Sequence, residues 1–191
     1  MGREYHVKTR KRGEKNKMIR VAQFKKISYE QYLSDYMDIF TDLDYSIPAN
    51  LDMINESWSN IKLPVRATKY SAGYDFCTPI DFELNPGEEI KIPTGIRCQM
   101  NDDFVLTIYP RSSIGFKYNV CLANTVGVID ADYYYSSNEG HIMAKFVNRG
   151  DKTFVAHAGD KIMQGIFLPY GITNEDNTTQ KRNGGFGSTG N

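Results

Sequence analysis

From about Leu63 the chain takes on a two-residue alternation, and that change does more than any other feature to limit what it can fold into. Glu89-Ile90-Lys91-Ile92 puts its apolar side chains on one face, as a half-buried strand requires. Phe104 to Tyr109 is β-branched and aromatic. His141 to Val147 alternates through Ile142, Ala144 and Phe146, and Ile162 to Leu168 reads as a buried strand. Turn-forming clusters separate these runs: Asn85-Pro86-Gly87, Asn101-Asp102-Asp103, Asn148-Arg149-Gly150-Asp151 and Ala158-Gly159-Asp160. Many short strands at near-regular spacing predict an all-β sandwich or jelly roll over residues 63–172.

Ahead of that core, residues 18–62 read as a helical segment packed on the barrel. Ser28 with Gln31 makes a capping box, and Leu33, Tyr36, Met37, Phe40 and Leu43 then share one face of a helix from Ser28 to Tyr45, which Pro48 stops. A second short helix is expected over Leu51 to Trp58. Residues 1–17 are basic, polar and aperiodic, which predicts a disordered extension. Residues 173–191 are polar and glycine-rich, which predicts a flexible C-terminal arm.

Lys and Arg together number 23, as do Asp and Glu, so the net charge is zero. That argues against a surface coated for stable nucleic-acid binding, and an anionic ligand would need locally concentrated basic groups. No apolar run suits a membrane, and the start lacks the apolar stretch of a signal peptide, so a cytoplasmic protein is expected. Cys77, Cys98 and Cys121 form no CxxC pair and predict reduced thiols. His6, His141 and His157 are too scattered for a histidine metal site.

Several segments carry chemistry. In the tail, KRNGGFGSTGN, glycine amides can form an anion nest, Ser188 and Thr189 add hydroxyls, Lys181 and Arg182 add charge, and Phe186 needs a flat surface to cover. The alternative is a disordered Gly/Ser end. Arg111-Ser112-Ser113 follows a strand and makes a compact phosphate grip, although such strings also occur in ordinary turns. Within Asn124 to Tyr133, Gly127 suggests a hairpin or a close backbone approach. Asp130 can serve as a general base on water or cap a turn. Ser71 to Asp75 sets small residues around a second carboxylate, suited to Mg²⁺ near a triphosphate. Gly159 to Gln164 is a turn entering a strand, where Gln164 is either a ligand group or a satisfied core amide.

In this order, AGYDF (Ala72 to Phe76), PRSSIG (Pro110 to Gly115), NTVGVIDADY, GDKIMQ and RNGGFGSTG resemble the motifs of the trimeric dUTPase family, from about Leu63 to Asn191. SYEQYLSDY and NEGHI are similar to the Gram-positive bacterial and phage members. The resemblance implies a distorted jelly roll of the β-clip type and a homotrimer with active sites at subunit interfaces. It also implies Mg²⁺-dependent hydrolysis of dUTP to dUMP and pyrophosphate. By motif position, it implies that Asp130 activates the water. Asn124, the backbone around Gly127 and Ile129 read uracil, Tyr133 packs under the deoxyribose, and Phe186 stacks on the base. Arg111, Ser112, Ser113, Gln164, Arg182, Gly187, Ser188 and Thr189 hold phosphates, and Asp75 orients Mg²⁺ through water.

The chain departs from the family after Tyr133. Where Tyr-Arg-Gly-Glu is common, it has Tyr133-Tyr134-Tyr135 and then Ser136 to Asn138 before Glu139-Gly140, with Arg149 or Lys145 as candidates to replace the arginine. Lys161 stands where arginine is common, and either Lys181 or Arg182 is placed to grip the γ-phosphate. The rival readings are a dCTP deaminase or bifunctional deaminase–dUTPase, for which Glu139 is the candidate glutamate, and a phage-type dUTPase that also docks a regulatory partner.

Overall fold

The computed structural model describes residues 19–180 and Arg182. Its strands form two main antiparallel sheets. One has the order β1 (Ala22–Lys26), β5 (Glu89–Met100), β9 (Ile142–Asn148), β7 (Val120–Leu122). The other has the order β2 (Val65–Arg66), β3 (Tyr74–Cys77), β11 (Lys161–Pro169), β6 (Phe104–Pro110), β8 (Gly127–Ile129). A small pair joins β4 (Phe82–Leu84) to β10 (Phe154–Ala156). No described helix is long and apolar enough to cross a membrane.

The expected alternation holds along β9, where Ile142, Ala144, Phe146 and Asn148 are buried and the residues between them are not. Ile142, Ala144 and Phe146 join Ile92, Ile96, Leu106, Ile108, Ile162 and Met163 in one core between the sheets. A Cβ on Gly165 would lie 2.9 Å from both Leu106 Cδ1 and Phe76 Cε2, so glycine in β11 lets the core close around it.

The segment 18–62 is not helical throughout. Residues 22–26 form β1, in register with β5 from Ala22↔Met100 to Lys26↔Ile96. Phe24 explains the pairing, because its ring lies 5.4 Å from those of Tyr74 and Phe76 and 5.6 Å from that of Phe167. It therefore joins the first sheet to β3 and β11. Helix α1 runs Tyr29–Ile39, shorter than expected, and Ser28 caps it by accepting from Gln31 N at 3.1 Å. Its buried face carries Tyr32, Asp35 and Tyr36, while Met37 is exposed. Pro48 does not end α1; it opens α2 (Pro48–Ser59), where its missing N–H costs nothing. The helices lock together through Tyr32 Oη and Ser57 Oγ at 3.0 Å, and Trp58 Nε1 donates to Ile27 O at 3.1 Å. The expected extension 1–17 lies outside the described residues.

Candidate active site

One cluster gathers at one end of the five-stranded sheet. Asp75 on β3 stands opposite Gln164 on β11, and β6 ends at Pro110 opposite Met163. Arg111 follows directly, its N–H donating to Ile162 O at 3.2 Å. This register brings Asp75, Arg111, Lys161 and Gln164 together from distant parts of the chain. Asp75 is buried, with Lys161 Nζ 2.8 Å from Oδ2 and Arg111 Nε 3.5 Å from Oδ1. The carboxylate thus holds two cations in place on a strand framework. A Cβ on Gly73 would strike Gln164 Oε1, so the glycine leaves room for that amide. Ser112 and Ser113 are exposed in the first turn of α3 (Ser112–Tyr118). Beside them lies a hollow of about 210 Å³, lined by Arg111, Ser113, Lys117 and Lys161 among others.

A second cluster surrounds β8. Strands β7 and β8 do not pair as a hairpin; β7 joins β9 and β8 joins β6, so the turn between them crosses from one sheet to the other. Asn124 is exposed in this turn, where Thr125 takes a positive φ of 68°. The close-approach reading of Gly127 holds, because a Cβ there would lie 3.0 Å from Ile108 Cβ. Ile129 is only 4% exposed. Its side chain therefore belongs to the core, so Ile129 can offer a ligand nothing but backbone. Asp130 follows, half exposed, with Arg182 Nη2 2.6 Å from Oδ2, while Arg182 Nε lies 3.2 Å from Asp132 Oδ1. The same guanidinium sits 5.3 Å from the Tyr133 ring centre. Arg182 thus rests on carboxylates of its own chain. Phe186, Gly187, Ser188, Thr189 and Lys181 lie outside the described residues.

Tyr133 sits in the 3-10 turn Ala131–Tyr135, and its hydroxyl donates to His141 O at 2.8 Å. Burial raises its pKa, so the phenol is a neutral donor. Lys145, one candidate to replace the family arginine, pairs with Glu89. Arg97 from β5 instead lies against the loop after Tyr133, 3.9 Å from the Tyr134 ring centre and donating to Tyr134 O at 2.8 Å. Glu139 is committed to structure: it accepts from Ser28 Oγ at 2.6 Å and Ser28 N at 3.0 Å. Burial alone would raise its carboxyl, but those bonds and Arg97 hold it below the usual value. That removes the glutamate on which a deaminase reading depended.

Lys161, Arg97 and the buried pair Asp35–His141 were not predicted as site or supporting residues. Lys161 carried a readable signal, since it stands in the turn-to-strand segment where family members have arginine. The other three did not, because their partners are remote in sequence. All three cysteines are free, and burial pushes the Cys98 thiol up to about 12. Among the described residues no three His, Cys, Asp or Glu side chains converge as a metal site. A Mg²⁺ ion would therefore take most of its ligands from phosphates and water, which is how that ion is commonly held.

A family model for dUTPase matches residues 59–190. The deoxyuridine 5′-triphosphate nucleotidohydrolase of Lactococcus lactis subsp. lactis (strain IL1403) is 42% identical over 135 residues, 69% of this chain and 90% of that protein. The protein of the same name from Haemophilus influenzae (strain PittEE) is 39% identical over 136 residues, 67% of this chain and 87% of its own. Among solved structures, the Streptococcus mutans dUTPase shares 41% identity with a TM-score of 0.55, covering 59% of this chain and 88% of its own. A dUTPase of phage phi11 of S. aureus, described with a structural Mg(II) ion, shares the fold at 20% identity and a TM-score of 0.53, covering 63% of this chain and 92% of its own.

Proposed function

This chain belongs to the dUTPase family, and from that premise we propose that it hydrolyses dUTP to dUMP and pyrophosphate at a site no single copy completes. The supporting observation is where the two clusters lie along β6. Ile129, next to Asp130, pairs with Leu106, whereas Arg111 follows the far end of the strand. At about 3.3 Å per residue, roughly 17 Å of strand separates Leu106 from Arg111. Arg111 and Asp130 of one copy therefore flank opposite ends of β6, which favours a site shared between copies. Apposing the phosphate cluster of one copy to the Asp130–Tyr133 cluster of the next completes the site. A contact of that head-to-tail kind makes a ring when its rotation closes. The homotrimer implied by the family resemblance is such a ring.

In that site Asn124 and the backbone around Gly127 read the uracil edge, and Tyr133 packs beneath the deoxyribose. Arg111, Ser112, Ser113, Gln164 and Lys161 hold phosphate oxygens, and Asp75 fixes the two cations among them. Bound Mg²⁺ neutralises phosphate charge so that an anionic chain can be attacked. Asp75 is the carboxylate placed to orient its water shell. Asp130 takes the proton from the attacking water as the link between the α- and β-phosphates breaks. For this, Arg182 leaves Asp130 and turns to phosphate, and Phe186 covers the base.

Pyrophosphate release from dUTP, dTTP, dCTP and UTP, with and without Mg²⁺, tests the reading. Only dUTP should be turned over, and Asp130→Asn should lower kcat by about 10²–10⁴-fold with the fold intact. Ammonia release from dCTP, or full activity in the variant, would overturn it.

A further inference from the structure

The loop from Tyr133 to His141 is braced on several sides by groups that do no chemistry in the scheme above. Tyr133 Oη donates to His141 O at 2.8 Å and accepts from Asn138 Nδ2 at 2.9 Å. His141 N donates to Asn138 O at 3.1 Å, which closes the loop on itself. The His141 ring is fully buried. Its Nε2 accepts from Gly95 N at 2.8 Å, so Nδ1 carries the proton and donates to Asp35 Oδ2 at 2.6 Å. Asp35 belongs to α1, outside the barrel. The same helix is held at its start by Glu139, through both the hydroxyl and the N–H of Ser28, with Arg97 Nη1 3.4 Å from the carboxylate.

The phenol of Tyr133 is therefore anchored to a carbonyl whose own residue is clamped between β5 and α1. A ring that excludes a 2′-hydroxyl must be held tightly, since a shift of about 1 Å opens space for an oxygen. With the carboxylate replaced by a neutral amide, the Nδ1–H keeps only a weaker acceptor, and the His141 carbonyl is held less firmly. We infer that Asp35 and Glu139 are positioning residues for Tyr133, and that helix α1 thereby sets how well the site tells deoxyribose from ribose. This rests on the reading of Tyr133 as the residue beneath the sugar.

The test uses Asp35→Asn, Tyr133→Phe and the double variant in the full chain, assayed with dUTP and UTP alongside thermal midpoints. Asp35→Asn should keep kcat for dUTP within about twofold, raise KM about fivefold, and cut the preference for dUTP over UTP about tenfold. Glu139→Gln should move both in the same direction by less. Because Asp35 acts through the Tyr133 hydroxyl, the double variant should discriminate no worse than Tyr133→Phe alone. The inference is overturned if Asp35→Asn lowers the thermal midpoint yet preserves both KM and preference, or if its loss adds fully to that of Tyr133→Phe. A wild-type enzyme indifferent to the 2′-hydroxyl would instead overturn the sugar-binding reading of Tyr133, and this inference with it.

Discussion

Gly140→Ala should be the most damaging small substitution in the loop behind Tyr133. Gly140 has φ of 71°, and an added Cβ would lie 2.6 Å from Tyr133 O and 2.7 Å from Tyr134 Cα. Both atoms are backbone, and Tyr133 N is already tied to Asp130 O at 3.1 Å, so the neighbour cannot swing aside. Forcing an L side chain into the left-handed region costs about 1–2 kcal/mol. Overpacking against backbone adds about 1–3 kcal/mol, giving a loss of about 2–5 kcal/mol in all. Gly87 supplies the control, since its φ is 85° but nothing lies within 4 Å of an added Cβ. Gly87→Ala should therefore lose only the strain, about 1–2 kcal/mol. Urea denaturation at one fixed protein concentration, with m-values checked for equality, separates the two variants. Steady-state kinetics should show KM for dUTP raised in Gly140→Ala and unchanged in Gly87→Ala. If Gly140→Ala is no worse than Gly87→Ala in both assays, the packing of the loop against Tyr133 is not as described.

Burial pushes the His141 ring below its ordinary value of 6.5, against the pull of Asp35, with Glu139 and Lys91 as the other charges facing it and the Tyr32 ring 6.2 Å away. Between that lowered value and 6.5 the unfolded chain binds more protons than the folded one, so this contribution to stability is complete above 6.5 and is lost as pH falls below it. Glu139, held below 4.5, adds a further loss as pH falls beneath 4.5. Thermal midpoints should therefore decline on acidification below 6.5, and a profile flat through that region would contradict the neutral buried imidazole. Lys161→Met leaves the buried Asp75 carboxylate to Arg111 alone; the lysine side chain is 40% exposed, so solvent screening limits the loss to about 1–2 kcal/mol. Its larger effect should be a raised KM for dUTP, measurable by pyrophosphate release, because Arg111 is drawn towards the aspartate and away from phosphate.

Local patterns were legible in the sequence and distant pairings were not. The β9 alternation, the Ser28 cap and the close approach at Gly127 each depend on neighbours a few residues away. The reciprocal half of the α1 cap was expected from Gln31 but comes from Glu139, 111 residues on from Ser28. Met37 fits the helical period of a buried face, yet α1 is rotated so that Asp35 can reach His141, 106 residues away. Strand β1 reads as polar, and only Phe24, by bridging the two sheets, explains why it pairs. At the site, the motifs singled out Asp75, Arg111, Asp130 and Tyr133 one by one. That Asp75 holds both Arg111 and Lys161, and that Asp130 lies at the opposite end of β6, follows only from the strand register.

Mixing two inactive variants shows whether the phosphate grip and the base come from different copies. Asp130→Asn and Arg111→Ala are each made alone, then unfolded together in equal amounts and refolded. If every site takes Arg111 from one copy and Asp130 from the next, random assembly makes about a quarter of the sites wild type at both positions. Pyrophosphate release from dUTP should then recover to about a quarter of the wild-type rate. If each copy instead held both groups in one site, no mixture could restore a complete one, and activity would stay at the level of the separate variants.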